Sequence, residues 1–93
     1  MSDLENNRGT VRRRALKEGK IVLSDTQIID CRIRDMSDGG VRIEMGAVFE
    51  LPKLFRLVIV STNEIVPAEL AWQRGQAAGI RFVGPPQPAP RKV

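Results

Sequence analysis

The stretch Ile29-Asp30-Cys31-Arg32-Ile33-Arg34-Asp35-Met36-Ser37-Asp38-Gly39-Gly40-Val41-Arg42-Ile43-Glu44-Met45 decides how the chain is read. Ile29, Cys31 and Ile33 alternate with Asp30, Arg32 and Arg34, and Val41, Ile43 and Met45 alternate with Arg42 and Glu44. A period of two on both sides is the pattern of two half-buried strands. Residues 35–40 between them read as a tight polar loop in which Gly39 and Gly40 can take positive φ without strain. The loop gathers two carboxylates, a hydroxyl and backbone N–H groups into six residues, more polar chemistry than a connection requires.

Outward from this stretch, residues 20–23 read as a short strand, residues 24–26 as a turn and residues 27–34 as the second strand. Residues 41–45 are the third. Residues 46–53 are irregular, residues 54–60 the most apolar strand, and residues 61–63 a turn. Residues 64–73 form a long strand in which Pro67 implies an edge position or a bulge. Leu70 and Trp72 share one parity there, which predicts a core or barrel-end place for Trp72. Gly75 marks a turn and residues 78–83 close the set. Six short strands with no amphipathic helix predict an all-β fold, a small six-stranded antiparallel barrel. Residues 84–93 are a proline-rich tail, read as an extended, solvated end that forms neither helix nor ladder. Residues 1–10 read as a flexible lead-in, and residues 11–83 as the single domain, with a basic arm over 11–20.

The chain has 93 residues, enough for one domain with a modest core. Its 42% apolar and 28% charged residues exclude wholesale disorder. The formal charge of +4 is unevenly placed. Residues 1–20 carry six cations against three acids, residues 21–90 carry seven against eight, and Arg91 and Lys92 add the rest. A basic arm on a near-neutral body points to a local anionic ligand and away from a broad DNA or RNA face. With one Trp, three Phe and no Tyr, the chain also lacks the aromatic platform of a single-strand binder. The single cysteine, Cys31, excludes an intrachain disulfide and fits a cytoplasmic setting. No apolar run predicts membrane insertion.

Two places carry chemistry. In the loop, Asp35-x-Ser37-x-x-Gly40 also fits a plain hairpin turn, but a carboxylate there can accept from the N1–H and N2–H₂ edge of guanine. The alternating oxygens of a calcium loop are missing. In the arm, Arg12, Arg13 and Arg14 suit phosphate oxygens and guanine O6 and N7, although as a charge run they also fit a solvated face. Arg13 and Lys17 would share a face if residues 11–18 formed a helical turn instead of an extended segment. The chain has no histidine, Ser37 has no base partner beyond carboxylates, and no Cys/His set can hold zinc, so no enzyme is expected.

Taken together, these motifs resemble the PilZ domain family of cyclic di-GMP receptors. That family pairs an Arg-x-x-x-Arg arm with an Asp/Asn-x-Ser-x-x-Gly motif on a six-stranded barrel. Asp35, Ser37 and Gly40 complete the second motif, and Ala71-Trp72 followed by Gly79-Ile80-Arg81-Phe82 looks like the family's last strands. The arm departs from the pattern. Read as Arg13-Arg14-Ala15-Leu16-Lys17, it has lysine where the second arginine stands, keeping the charge but losing the planar fork. The helix that often follows the barrel is also replaced by the proline tail.

The resemblance implies a ligand site of Arg12, Arg13, Arg14, Lys17, Asp35, Ser37, Gly39 and Gly40, with cyclic di-GMP as ligand and no further cofactor. It implies a bacterial, cytoplasmic receptor, monomer or weak dimer, that relays the signal to a protein effector in motility, biofilm or envelope polysaccharide control. The alternative is a degenerate barrel that binds no nucleotide and acts as a protein-interaction adaptor.

Overall fold

The computed structural model describes residues 13–89, with side chains from Leu16 onward. Arg12, the lead-in over 1–10 and the last residues of the tail lie outside the described residues. Seven strands follow in order: β1 (Arg13–Val22), β2 (Ile28–Ser37), β3 (Gly40–Met45), β4 (Leu54–Ile59), β5 (Glu64–Arg74), β6 (Ala77–Phe82) and β7 (Gln87–Pro88). The sheet order is β4-β1-β2-β3-β6-β5, and an antiparallel β4–β5 ladder closes it into the expected six-stranded barrel.

Closure follows from the alternation. β3 and the first part of β2 bury every second residue, and six strands that each carry an apolar face can hide those faces only by curling around them. Ile21, Ile33, Ile43, Leu57 and Val66 are fully enclosed, and Cys31, Met45, Phe55, Ala68, Ala78 and Ile80 fill the space between them. Among the described residues no polar side chain is buried. Charges stay on the outer face in cross-strand pairs such as Lys20–Asp30 at 2.8 Å.

Four local expectations change. First, β1 begins at Arg13, so the described part of the basic arm is strand, neither a helical turn nor a separate lead to a strand at Lys20. Gly19 lies within it. It faces the interior, where an added Cβ would press to 3.1 Å from Cys31 Sγ and 3.2 Å from Ile33 Cδ1. Second, β2 runs on to Ser37, and the loop shrinks to Asp38 and Gly39. Neither Gly39 nor Gly40 has positive φ; among the described glycines only Gly75 does, at 62° in the β5–β6 turn.

Third, the tail does form a ladder. Gln87 and Pro88 pair with Ile65 and Glu64, and Ala89 is buried. Proline removes donors, not acceptors, so a short paired segment survives wherever its missing N–H points away from the partner. Fourth, Trp72 lies outside the barrel, 45% exposed, beyond an extra residue in β5. Pro67 occupies a local edge: β6 has ended beside it, and its carbonyl still accepts from Val83 N–H at 2.9 Å.

Candidate functional site

Counting across the two-residue turn pairs Ser37 with Gly40, Met36 with Val41 and Asp35 with Arg42. Continued unchanged, this register would set Arg34 against Ile43 and Ile33 against Glu44, charge against hydrocarbon. The ladder avoids that by inserting Arg34 as an extra residue in β2, so that Ile33 meets Ile43. A one-residue bulge sends every side chain beyond it to the other face. Strict alternation would send Asp35 inward after Cys31 and Ile33. The bulge turns it outward, and Arg42 Nε donates to its Oδ2 at 2.6 Å. The Asp35 side chain is 19% exposed, reachable but fixed in place. Ser37 shares this outer face, its hydroxyl donating to the Gly40 carbonyl at 3.4 Å. Met36 between them packs against the core.

A second bulge does the same on the far side. In β5, Ala71 is extra between the pairs Leu70–Ile80 and Trp72–Gly79. Leu70 stays with the core, whereas Trp72 flips outward and is 45% exposed. Its indole lies on Gly79, where a Cβ would collide with the ring. Of the core or barrel-end place expected for Trp72, the core reading is wrong, and the bulge is the cause.

On the arm side, β1 pairs Arg14 with Asp35 and Lys17 with Ile33, so Ala15 and Leu16 stand against the single Arg34. Leu16 takes φ 47° at this irregularity. Extra residues thus accumulate across neighbouring strands, none in β3, one in β2 and two in β1, which sharpens the local twist. The result is one cross-strand row: Arg14, Asp35, Arg42, Gly79, Trp72. The indole over Gly79 is two strand spacings from Asp35, about 10 Å.

Of the residues the sequence nominates, Arg14 and Asp35 are brought together, as are Ser37 and Gly40. Arg13 pairs with Met36. Lys17 is half-buried at the level of Ile33, away from Asp35. Gly39 sits at the open tip. At Gly40 β6 leaves no room for a side chain, since an added Cβ would fall on the Ile80 carbonyl oxygen. Neither Arg42 nor Trp72 is among the nominated residues. Arg42 was within reach of hairpin counting, because residues 35 and 42 are equidistant from the turn. Trp72 was not, because nothing local marks Ala71 as a bulge.

Next to this row, Gly40 pairs with Arg81, and Arg81 with Glu69. Lys53 Nζ at 3.4 Å and Arg81 Nη2 at 3.0 Å hold the Glu69 carboxyl below the usual carboxylate range. Burial pushes the Cys31 thiol up to about 12, which leaves it inert as a nucleophile. Among the described residues there is no cluster of ligands for a metal ion, and no helix is long and apolar enough to cross a membrane.

The arrangement presents a carboxylate, a hydroxyl, a guanidinium and an indole face in adjacent rows of a rigid sheet, beside a basic arm. Such groups can accept and donate hydrogen bonds and stack on a planar group. The family model for the PilZ domain matches residues 6–93, and the chain belongs to that family of cyclic di-GMP-binding receptor domains. No curated protein matches the chain significantly.

Proposed function

We propose that this PilZ domain is a cyclic di-GMP receptor that passes the signal to a protein partner in the cytoplasm. The observation that carries the reading is the bulge at Arg34, which places Asp35 outward beside both Arg14 and Arg42. A buried Asp35 would be useless to a ligand. An outward, half-buried one is a preorganised acceptor for the N1–H and N2–H₂ edge of guanine. Arg42 engages one of its oxygens, and a carboxylate offers about four lone-pair sites, so room remains for the base.

In this reading Arg12, Arg13 and Arg14 hold phosphate oxygens and the O6/N7 edge of guanine. Ser37 reaches a neighbouring polar group, and Gly39 and Gly40 leave space for close approach. Lys17 contributes charge at the root of the arm without the bidentate fork. Its absence weakens binding by about 1–3 kcal/mol relative to an arm with both arginines. The exposed indole of Trp72 offers a stacking face on the same row. Closure of the arm over the ligand then changes the surface shown to a protein effector of motility, biofilm or envelope polysaccharide control.

Calorimetric titration of the full chain with cyclic di-GMP, beside Arg13→Ala and Asp35→Ala, tests this. Binding in the low-micromolar range or tighter, lost in both variants, is the expected result. Heats equal to buffer in the unmodified protein would refute it.

A further inference from the structure

β6 covers one edge of β5 only as far as Ala68, and beyond it the chain caps that edge with its own C-terminal segment. Residues 84–86 leave the ladder. Gln87 and Pro88 then rejoin it opposite Ile65 and Glu64, and Ala89 N–H donates to the Asn63 carbonyl at 2.9 Å. Ala89 sits in a small apolar seat made by Val22, Val58 and Ile65, separate from the interior core. Ala89 with Asn63 is a hydrogen-bonded pair, so Pro88 with Glu64 is the non-bonded pair between rungs. There the missing N–H of proline costs nothing. This strap therefore has a defined register and a defined anchor, yet it holds by two ladder pairs and one alanine.

The linker is poorly suited to folding back. Gly84, Pro85 and Pro86 stand opposite the single residue Val66, so the closed strap must detour around it. Gly84 and Pro85 each precede a proline, which biases both to extended backbone, and both prolines fix φ. Gly84 is already tight on Pro67, where a Cβ would come to 2.6 Å from Cγ. Extended, the three residues span about 10 Å and carry the strap away from its own barrel.

We propose that residues 87–89 also dock on β5 of a second copy of this chain, so that two copies assemble by exchanging straps. The occupant is the second copy because its strap reproduces the seating already seen within one chain, residue for residue. The contacts are the same whether the strap is its own or its neighbour's. The balance is set by linker strain against the millimolar effective concentration of the attached strap. The exchanged dimer therefore grows with protein concentration.

The test mixes two full-length single variants, Glu64→Cys and Pro88→Cys. These positions are opposed between rungs, where the Cα separation of about 4.5 Å suits a disulfide. The buried Cys31 does not compete. After incubation at high concentration and oxidation, a non-reducing gel is read for dimers. The expected result is a mixed dimer in excess of both same-variant dimers, rising with concentration and lost when Ala89→Asp is added to the Pro88→Cys chain. A double variant that closes its bond within one chain, with no excess of mixed dimer at any concentration, would overturn the proposal. So would a mixed dimer indifferent to Ala89→Asp.

Discussion

Gly39 and Gly40 are adjacent, and the structure assigns their substitution by alanine opposite signs. At Gly40 the new methyl lands on the Ile80 carbonyl oxygen and reaches 3.2 Å from Arg81 Cα. Both obstacles are backbone, so neither can rotate aside. β3 and β6 are interior members of a closed barrel, so parting them strains the whole ring. Overpacking of this kind costs about 1–3 kcal/mol, and a lost ladder hydrogen bond adds about 1, a total near 2–4 kcal/mol. For a chain of this length about 1 kcal/mol moves the melting midpoint by about 5 °C. Gly40→Ala should therefore melt roughly 10–20 °C below the parent. At Gly39 nothing lies within 4 Å of an added Cβ, and φ is not positive. Alanine there should be neutral or raise stability by about 0.4–1 kcal/mol, because it restricts the unfolded chain. The assay is thermal and urea unfolding of both variants followed by far-UV circular dichroism. If Gly40→Ala melts within 2 °C of the parent, the close approach of β3 and β6 is not what demands glycine, and the reasoning fails.

Leu57→Ala, in the fully enclosed core, should lose about 2–5 kcal/mol in urea unfolding, whereas Leu54→Ala, 63% exposed on the same strand, should stay within about 0.5 kcal/mol. Gly79→Ala drives a Cβ into the five-membered ring of the Trp72 indole, a half-exposed side chain able to swing outward, so it should change tryptophan fluorescence with little loss of stability; a large drop in melting temperature would show that the indole cannot move aside. Because Glu69 is held below its ordinary value, its contribution to stability is present at neutral pH and is lost as pH falls through its folded value. The gap in melting temperature between the parent and Glu69→Gln should therefore close in acid, and a gap that widened there would contradict the pairing with Lys53 and Arg81. Cys31, with its thiol pushed up to about 12, should react with a thiol reagent at pH 8 only as fast as the barrel opens, so that a urea-independent rate would refute its burial.

What could be read from residues alone was whatever depends on neighbours in the chain. Alternation marked the strands, and six of them without a helix implied closure. Asp35, Ser37 and Gly40 stood out as a motif by their spacing, and Cys31 was placed in the core by its parity. What could not be read was where parity breaks. Asp35 faces outward because an extra residue, Arg34, resolves a mismatch between β2 and β3, and Trp72 faces outward because another extra residue, Ala71, shifts the register between β5 and β6. The burial of Ala89 depends on β5 having an uncovered edge, which exists only once β6 ends. A bulge is decided by the register of two strands together, and register is a property of the pair. The chain's local pattern supplied the strands and the motif, and only the packed barrel determined which face each residue beyond a bulge would show to a ligand.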